Sequence, residues 1–236
     1  MKIFAHRGIS AHYPENSQTA IKQCDPSFMA GVEIDLFQSG NEFIVIHDRW
    51  LTRLFDIDKK TIDLSEDDIA SIVGNDGNPI PTLEWLITEL TDKSLILNIE
   101  LKKIRNISLF FKKLILVCDK VNFPMENLII SSFNHVYLKK LYALDQRLKL
   151  GLLLTNRPID MKKYLTHFKV FSIHLDMDCV NKAFLHEVKA LGTEVYIFTI
   201  DHAQEIQWCY QNQVDGIFAN DPKHAFNLIK KLQQLN

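Results

Sequence analysis

Short runs of β-branched and aliphatic residues alternate with longer segments of helical period along the whole chain, and this alternation constrains the fold more than any other feature. Strands are predicted at residues 3–6, 32–37, 95–101, 128–132, 150–154, 171–175, 195–199 and 216–219. Eight is the number at which a parallel sheet closes into a barrel. Between them, apolar residues recur at three- and four-residue spacing over 17–24, 83–90, 109–120, 136–144, 161–168, 182–191, 203–212 and 223–235, so each connection reads as a helix. Asn16, Asn181 and Asp201 stand where helix N-caps belong. The expectation is an α/β chain forming one (β/α)8 barrel, the TIM-barrel architecture, over all 236 residues, close to the ~250 usual for that fold.

The rhythm breaks once. A further extended run at 42–47 is followed by a polar, irregular, Asp-rich stretch at 51–81, which makes a small insertion of about residues 40–82 after the second strand. Long strand-to-helix connections in this fold lie on the face that carries active sites, so the insertion is expected to wall the pocket.

A formal net charge of -2 supplies no basic field for a polyanion, which argues against nucleic acid as a partner. The chain starts directly on a strand pattern, without an apolar leader, and no stretch approaches the ~20 apolar residues of a membrane helix. A cytoplasmic protein without stable membrane insertion is expected. Cys24, Cys118, Cys179 and Cys209 show no C-x-x-C spacing and read as buried thiols.

Polar residues that interrupt the strand pattern carry the chemistry. Glu33 and Asp35 lie two apart on one strand and share a face; Glu100 and Lys102 do the same on the next barrel strand. One Glu-x-Asp pair is commonly just a solvated edge. A second pair in the same lumen changes that reading, because crowded buried carboxylates must bind a cation or take up protons. All-oxygen donors favour Mg²⁺ or Ca²⁺. His6 ends the first strand and His47 the extra extended run, suited to an acid–base pair. Arg7 and Lys102, with no obvious acid nearby in sequence, add the positive charge that a phosphoryl group needs. His174 and Asp176 share a strand face and are candidates for the rim or for plain structure, whereas His12, His135, His167, His186, His202 and His224 read as solvent-facing.

In order along the chain stand Ala5-His6-Arg7-Gly8, Pro14-Glu15-Asn16-Ser17, Glu33-Ile34-Asp35, Ile46-His47-Asp48 with Leu51 and Arg53, Asn98-Ile99-Glu100-Leu101-Lys102, Ser132-Phe133 and Val214-Asp215-Gly216-Ile217. This succession resembles the glycerophosphodiester phosphodiesterase family over nearly the whole chain. The resemblance implies one divalent cation, Mg²⁺ or Ca²⁺, on Glu33, Asp35 and Glu100, catalysis by His6 and His47, phosphate on Arg7 and Lys102, and a supporting place for Glu15. It implies a small glycerophosphodiester as substrate, with glycerol 3-phosphate and an alcohol as products. Two stretches depart from the family pattern: Phe198-Thr199-Ile200-Asp201 replaces Trp-Thr-Val-Asn, and Ala219-Asn220 replaces Thr-Asp. Phe198, with Glu15 and His174, is a candidate for the pocket lining. Two other functions stay open, a related barrel phosphodiesterase acting on lysophospholipids or other phospholipids, and a non-catalytic phosphodiester-binding protein.

Overall fold

The computed structural model describes residues 1–234. The strands are β1 (Lys2–His6), β2 (Gly31–Ser39), β3 (Glu42–Val45), β4 (Ile96–Lys103), β5 (Leu128–Ser132), β6 (Lys149–Leu154), β7 (Ser172–Asp176), β8 (Glu194–Phe198) and β9 (Gly216–Ala219). All except β3 are parallel to their neighbours, and β1 pairs with both β2 and β9, which closes an eight-stranded barrel. The extra run, β3, pairs antiparallel with the end of β2, and all nine residues of β2 are buried.

The helices are α1 (Gln18–Lys22), α2 (Thr52–Phe55), α3 (Glu66–Ser71), α4 (Leu83–Leu90), α5 (Ile107–Val121), α6 (His135–Leu144), α7 (Met161–Tyr164), α8 (Lys182–Lys189), α9 (Ala203–Gln211) and α10 (Pro222–Gln234). Each expected helix is present, though the one over 161–168 ends in a 3-10 turn, and Leu235 lies outside the described residues. The outer faces of the barrel strands pack on these helices in one large apolar core. The insertion, with α2 and α3, gathers a smaller apolar cluster of its own around Phe37, Ile46, Leu51 and Ile69. No helix is long and apolar enough to cross a membrane. Cys24, Cys118 and Cys209 are buried and unpaired; Cys179 is unpaired but only half-buried.

Two of the three expected caps are something else. Asn181 does cap α8, but α1 is capped by Ser17, whose hydroxyl accepts from Ala20 N–H at 3.1 Å. Asn16 has a left-handed backbone, φ 56°, and turns its amide inward. Asp201 leaves the capping position of α9 to His202 and binds Asn220 instead.

The lumen is plugged by aromatic rings. Phe4, Tyr196 and Phe218 pack with Ile129, and the ring of His174 stacks on Tyr196 with centroids 5.1 Å apart. Gly151 makes that stack possible, because a Cβ there would lie 2.6 Å from His174 Cε1. Burial holds His174 down to about 3, so it is a neutral ring donating to or accepting from Ser172 Oγ at 2.8 Å. Lys2 and Glu194, at the starts of β1 and β8, pair at one end of the barrel, and a separate set of acids and imidazoles faces a cavity at the other.

Candidate active site

Strand register brings the sequence-picked acids together. His6 lies beside Glu33, Glu33 beside Asn98, and Asp35 beside Glu100. Oxygens of Glu33, Asp35 and Glu100 all fall within 4.8 Å of one another. They sit at the mouth of the barrel, where a cavity of about 170 Å³ is lined by His6, Arg7, Glu33, His47, Glu100 and Lys102 among others. His174 and Phe198 are among the residues that line this cavity, whereas Glu15 and Asp176 are not.

Each carboxylate has a different environment. Asp35 is held by Asn16 Nδ2 at 2.9 Å, by Arg7 Nε at 3.2 Å and by Lys102 Nζ at 3.5 Å. Burial opposes its charge, but Lys102 and Arg7 overcome that and keep it ionised below the usual carboxylate range. Glu33 receives only the Arg7 backbone N–H, at 2.9 Å. The left-handed backbone of Arg7, φ 57°, accompanies that contact, an unusual conformation for a side chain this large. Burial, then Asp35 and Glu100, drives Glu33 well above the usual range, and burial with Asp35 raises Glu100 to about 7.

The expectation that Arg7 and Lys102 lack acidic partners is overturned. Lys102 Nζ lies 2.7 Å from Glu100, and Arg7 Nη1 donates to Glu15 Oε1 at 2.8 Å. Both acids stand close in sequence, Glu100 two residues from Lys102 on the same face of β4 and Glu15 eight residues from Arg7; the acid that the two cations share, Asp35, comes from the neighbouring strand β2. Glu15 in turn accepts two bonds from Arg53, at 2.6 and 3.0 Å, while Arg53 Nε donates to Asp48 at 2.6 Å. A continuous ion-pair chain therefore runs from Arg7 through Glu15 and Arg53 to Asp48. Glu15, His47 and Asp48 form a second acidic group within 4.8 Å, but the Arg53 guanidinium already fills it with positive charge.

The two imidazoles are mounted differently. His6 Nδ1 is 2.8 Å from Asn220 Oδ1, and Asn220 uses its N–H and its Nδ2 to reach the two oxygens of Asp201, at 2.7 and 2.5 Å. Because Asp201 can only accept, the amide oxygen must face the ring, so His6 carries its proton on Nδ1 and leaves Nε2 free. Burial, then Arg7, lowers His6 below the ordinary histidine value. His47 Nδ1 is 2.8 Å from Asp48 Oδ1, and the hydrogen bond from Arg53 leads the influences that hold Asp48 down to about 2. His47 thus also exposes Nε2, with a full negative charge behind it. Of the remaining histidines, His135 departs from expectation: it is half-buried, bonded to Tyr164 OH at 2.6 Å and near Leu153 O at 2.9 Å.

The residues present fit a hard divalent cation. Glu33 Oε1 and Asn98 Oδ1 are buried and have no hydrogen-bond partner. Around the mouth, the five carboxylates of Glu15, Glu33, Asp35, Asp48 and Glu100 face the three cations of Arg7, Arg53 and Lys102. The two uncompensated charges match the two glutamates that burial pushes toward their protonated forms. Sequence reasoning missed the roles of Asn16 and Arg53, and it placed Asp201 and Asn220 only as departures from the family pattern on the alcohol side of the pocket, not as a pair behind His6. Only the odd placement of Asn16 and Arg53 within the N-terminal motifs pointed at them.

A closed barrel with an oxygen-rich anionic centre, flanked by imidazoles and cations, defines a hydrolase of phosphate esters. The glycerophosphoryl diester phosphodiesterase family model matches residues 6–224, and the chain belongs to that family. It is 28% identical over 240 residues to a glycerophosphodiester phosphodiesterase of Caldanaerobacter subterraneus, a match covering 97% of this chain and 98% of that relative. A second glycerophosphodiester phosphodiesterase, from Bacillus altitudinis, is 26% identical and covers 98% of this chain and 99% of its own length. The same fold occurs in an Oleispira antarctica phosphodiesterase solved with its product sn-glycerol-3-phosphate, with a TM-score of 0.89, 24% identity and coverage of 98% and 97% of the two chains. The chain is an enzyme, a phosphoric diester hydrolase.

Proposed function

We propose that this enzyme hydrolyses small glycerophosphodiesters to glycerol 3-phosphate and an alcohol, with one divalent cation, Mg²⁺ or Ca²⁺, held by Glu33, Asp35 and Glu100. The observation that carries the reading is the convergence of those three acids within 4.8 Å around an unpartnered Glu33 oxygen, on a cavity also lined by His6 and His47. When bound, the cation supplies Lewis-acid neutralisation of the phosphate oxygens.

The chain's own residues do the rest. Arg7 and Lys102 orient the phosphate and offset charge that grows on its oxygens in the transition state. His6, neutral and with Nε2 unprotonated, takes the proton from the nucleophile, either a water, which gives glycerol 3-phosphate directly, or the neighbouring glycerol hydroxyl. The hydroxyl gives a cyclic phosphate that water then opens, as His47 takes the water's proton and His6 returns its own to the freed hydroxyl oxygen. His47 delivers a proton from Nε2 to the departing alcohol oxygen while Asp48 holds its other nitrogen. Asn220 and Asp201 act through His6, and Asp48 and Arg53 through His47, as positioning residues.

Hydrolysis measured over a panel of glycerophosphodiesters, with each cation and with a chelator, tests the proposal. Turnover that is abolished by chelation and restored by Mg²⁺ or Ca²⁺ is the expected result. Binding of the esters without hydrolysis under any of these conditions would overturn it.

A further inference from the structure

Two grooves of opposite charge lead away from the cavity. The groove beside His6 is walled by Glu15, Asp201 and Asp221. The groove beside His47, about 770 Å³, runs between the insertion and the end of β4, and Arg49, Trp50, Lys60 and Lys103 line it together with His47 and Lys102. Its one carboxylate, Asp48, is already engaged by His47 and Arg53.

This wall is built rather than loose. Trp50 pairs with Lys60 across an antiparallel bridge, flanked by hydrogen bonds from Leu51 N to Lys59 O at 3.0 Å and from Thr61 N to Arg49 O at 3.0 Å. The buried Thr61 hydroxyl adds a bond to Asp48 O at 2.6 Å. Nearby Lys59 and Arg105 are paired with Asp68 and Asp63, yet among the described residues Arg49, Lys60 and Lys103 form no ion pair. In a chain of net charge -2, three unpaired cations converging on one groove are not a by-product of general basicity.

We propose that this groove receives the leaving alcohol and selects alcohols that carry a negative charge, a second phosphate above all. The inference rests on the hydrolysis proposed above, in which His47, at the head of the groove, protonates that alcohol. Unpaired, exposed cations attract an anionic group without first breaking a salt bridge. A quaternary ammonium such as choline meets the same cations as repulsion. The exposed aromatic face of this groove, that of the 44% exposed Trp50, is already covered by Lys60 Nζ at 5.2 Å from the ring centre.

The test compares kcat/KM at low salt for glycerophosphocholine and for a glycerophosphodiester whose alcohol is a phosphorylated glycerol. The phosphorylated ester should be preferred by about tenfold or more, and the preference should shrink as salt rises. In the Arg49→Gln/Lys60→Gln/Lys103→Gln variant the ratio should fall toward one; as both esters are assayed on one protein, the ratio is insensitive to partial loss of folded enzyme. Equal or better use of the choline ester by the wild type, or an unchanged ratio in the variant, overturns the proposal. So does faster turnover of an acylated glycerophosphodiester in anionic vesicles than of either soluble ester, which would make the groove a membrane contact. If every ester is cleaved without charge preference, only the groove assignment falls; if none is cleaved, the assignment and the proposed hydrolysis fall together.

Discussion

His6 and His47 face one cavity but are backed in opposite ways. His6 grows from the first barrel strand, and its Nδ1–H meets a neutral amide whose own charge partner, Asp201, stands one residue further out. His47 comes from the insertion, is more exposed, and meets the ionised Asp48 directly. The difference teaches how one ring type is assigned two tasks. A neutral acceptor fixes the tautomer of His6 without drawing a second proton onto it, which suits a base. A carboxylate behind His47 suits a ring that must arrive protonated. Ion pairs from Arg7 to Asp48 then hold the two mounts at a set separation.

The comparison can be broken or sharpened by experiment. Chelation should have the largest effect, lowering turnover at least ~10³-fold, since both rings act on a phosphate whose charge the cation shares. His6→Ala and His47→Ala should each cost at least ~10²-fold in kcat; near-normal rates in both would dissolve the pairing altogether. Asn220→Asp alone sets a second carboxylate against Asp201 and should cost about 30-fold, whereas Asp201→Asn/Asn220→Asp should recover most of it by restoring one acceptor and one donor.

That exchange also reads out in pH. A base is lost as pH falls through its folded pKa, and His6 lies below its ordinary 6.5, so the acid limb of kcat/KM in the wild type should lie under that value. In the exchanged enzyme a carboxylate adjoins the ring, and the limb should move up. A limb that stays put would show that Asn220 does not govern His6. Asp48→Asn should be milder, about tenfold in kcat, because His47 keeps an acceptor but loses the charge.

The smallest expected effect is on stability. Without a cation, Glu33 and Glu100 are raised above the ordinary glutamate value of 4.5, Glu100 to about 7. The native state therefore holds protons that the unfolded chain has released. Stability from these groups is full below pH 4.5 and is lost as pH rises toward 7, on the order of 3 kcal/mol for Glu100. A cation replaces those protons, so the Tm gain from adding Mg²⁺ or Ca²⁺ should be several degrees larger at pH 8 than at pH 5. An equal gain at both would mean the glutamates are ionised in the free protein.

What the sequence revealed followed from short periods. Glu33 with Asp35, and Glu100 with Lys102, were legible because strand alternation alone puts residues two apart on one side. The barrel was legible because eight strand-and-helix units repeat. Contacts made by closure were not: Asp201 and Asn220 are 19 residues apart, and Arg53 and Glu15 are 38 apart. Asn16 was mistaken for a cap because position and residue type both favoured one. Its left-handed backbone, which aims the amide at Asp35, leaves no trace in composition. The insertion resisted prediction because its short helices depend on a local apolar cluster rather than on a repeating pattern.

The aromatic plug beneath the site has a consequence for traffic. With Tyr196, Phe218 and the His174 ring sealing the lumen, the chamber is a blind pit, and nothing passes through to the opposite end of the barrel. Substrate and both products must use the same doorway. Two products can then depart without queuing only if they slide off along separate flanks of that doorway.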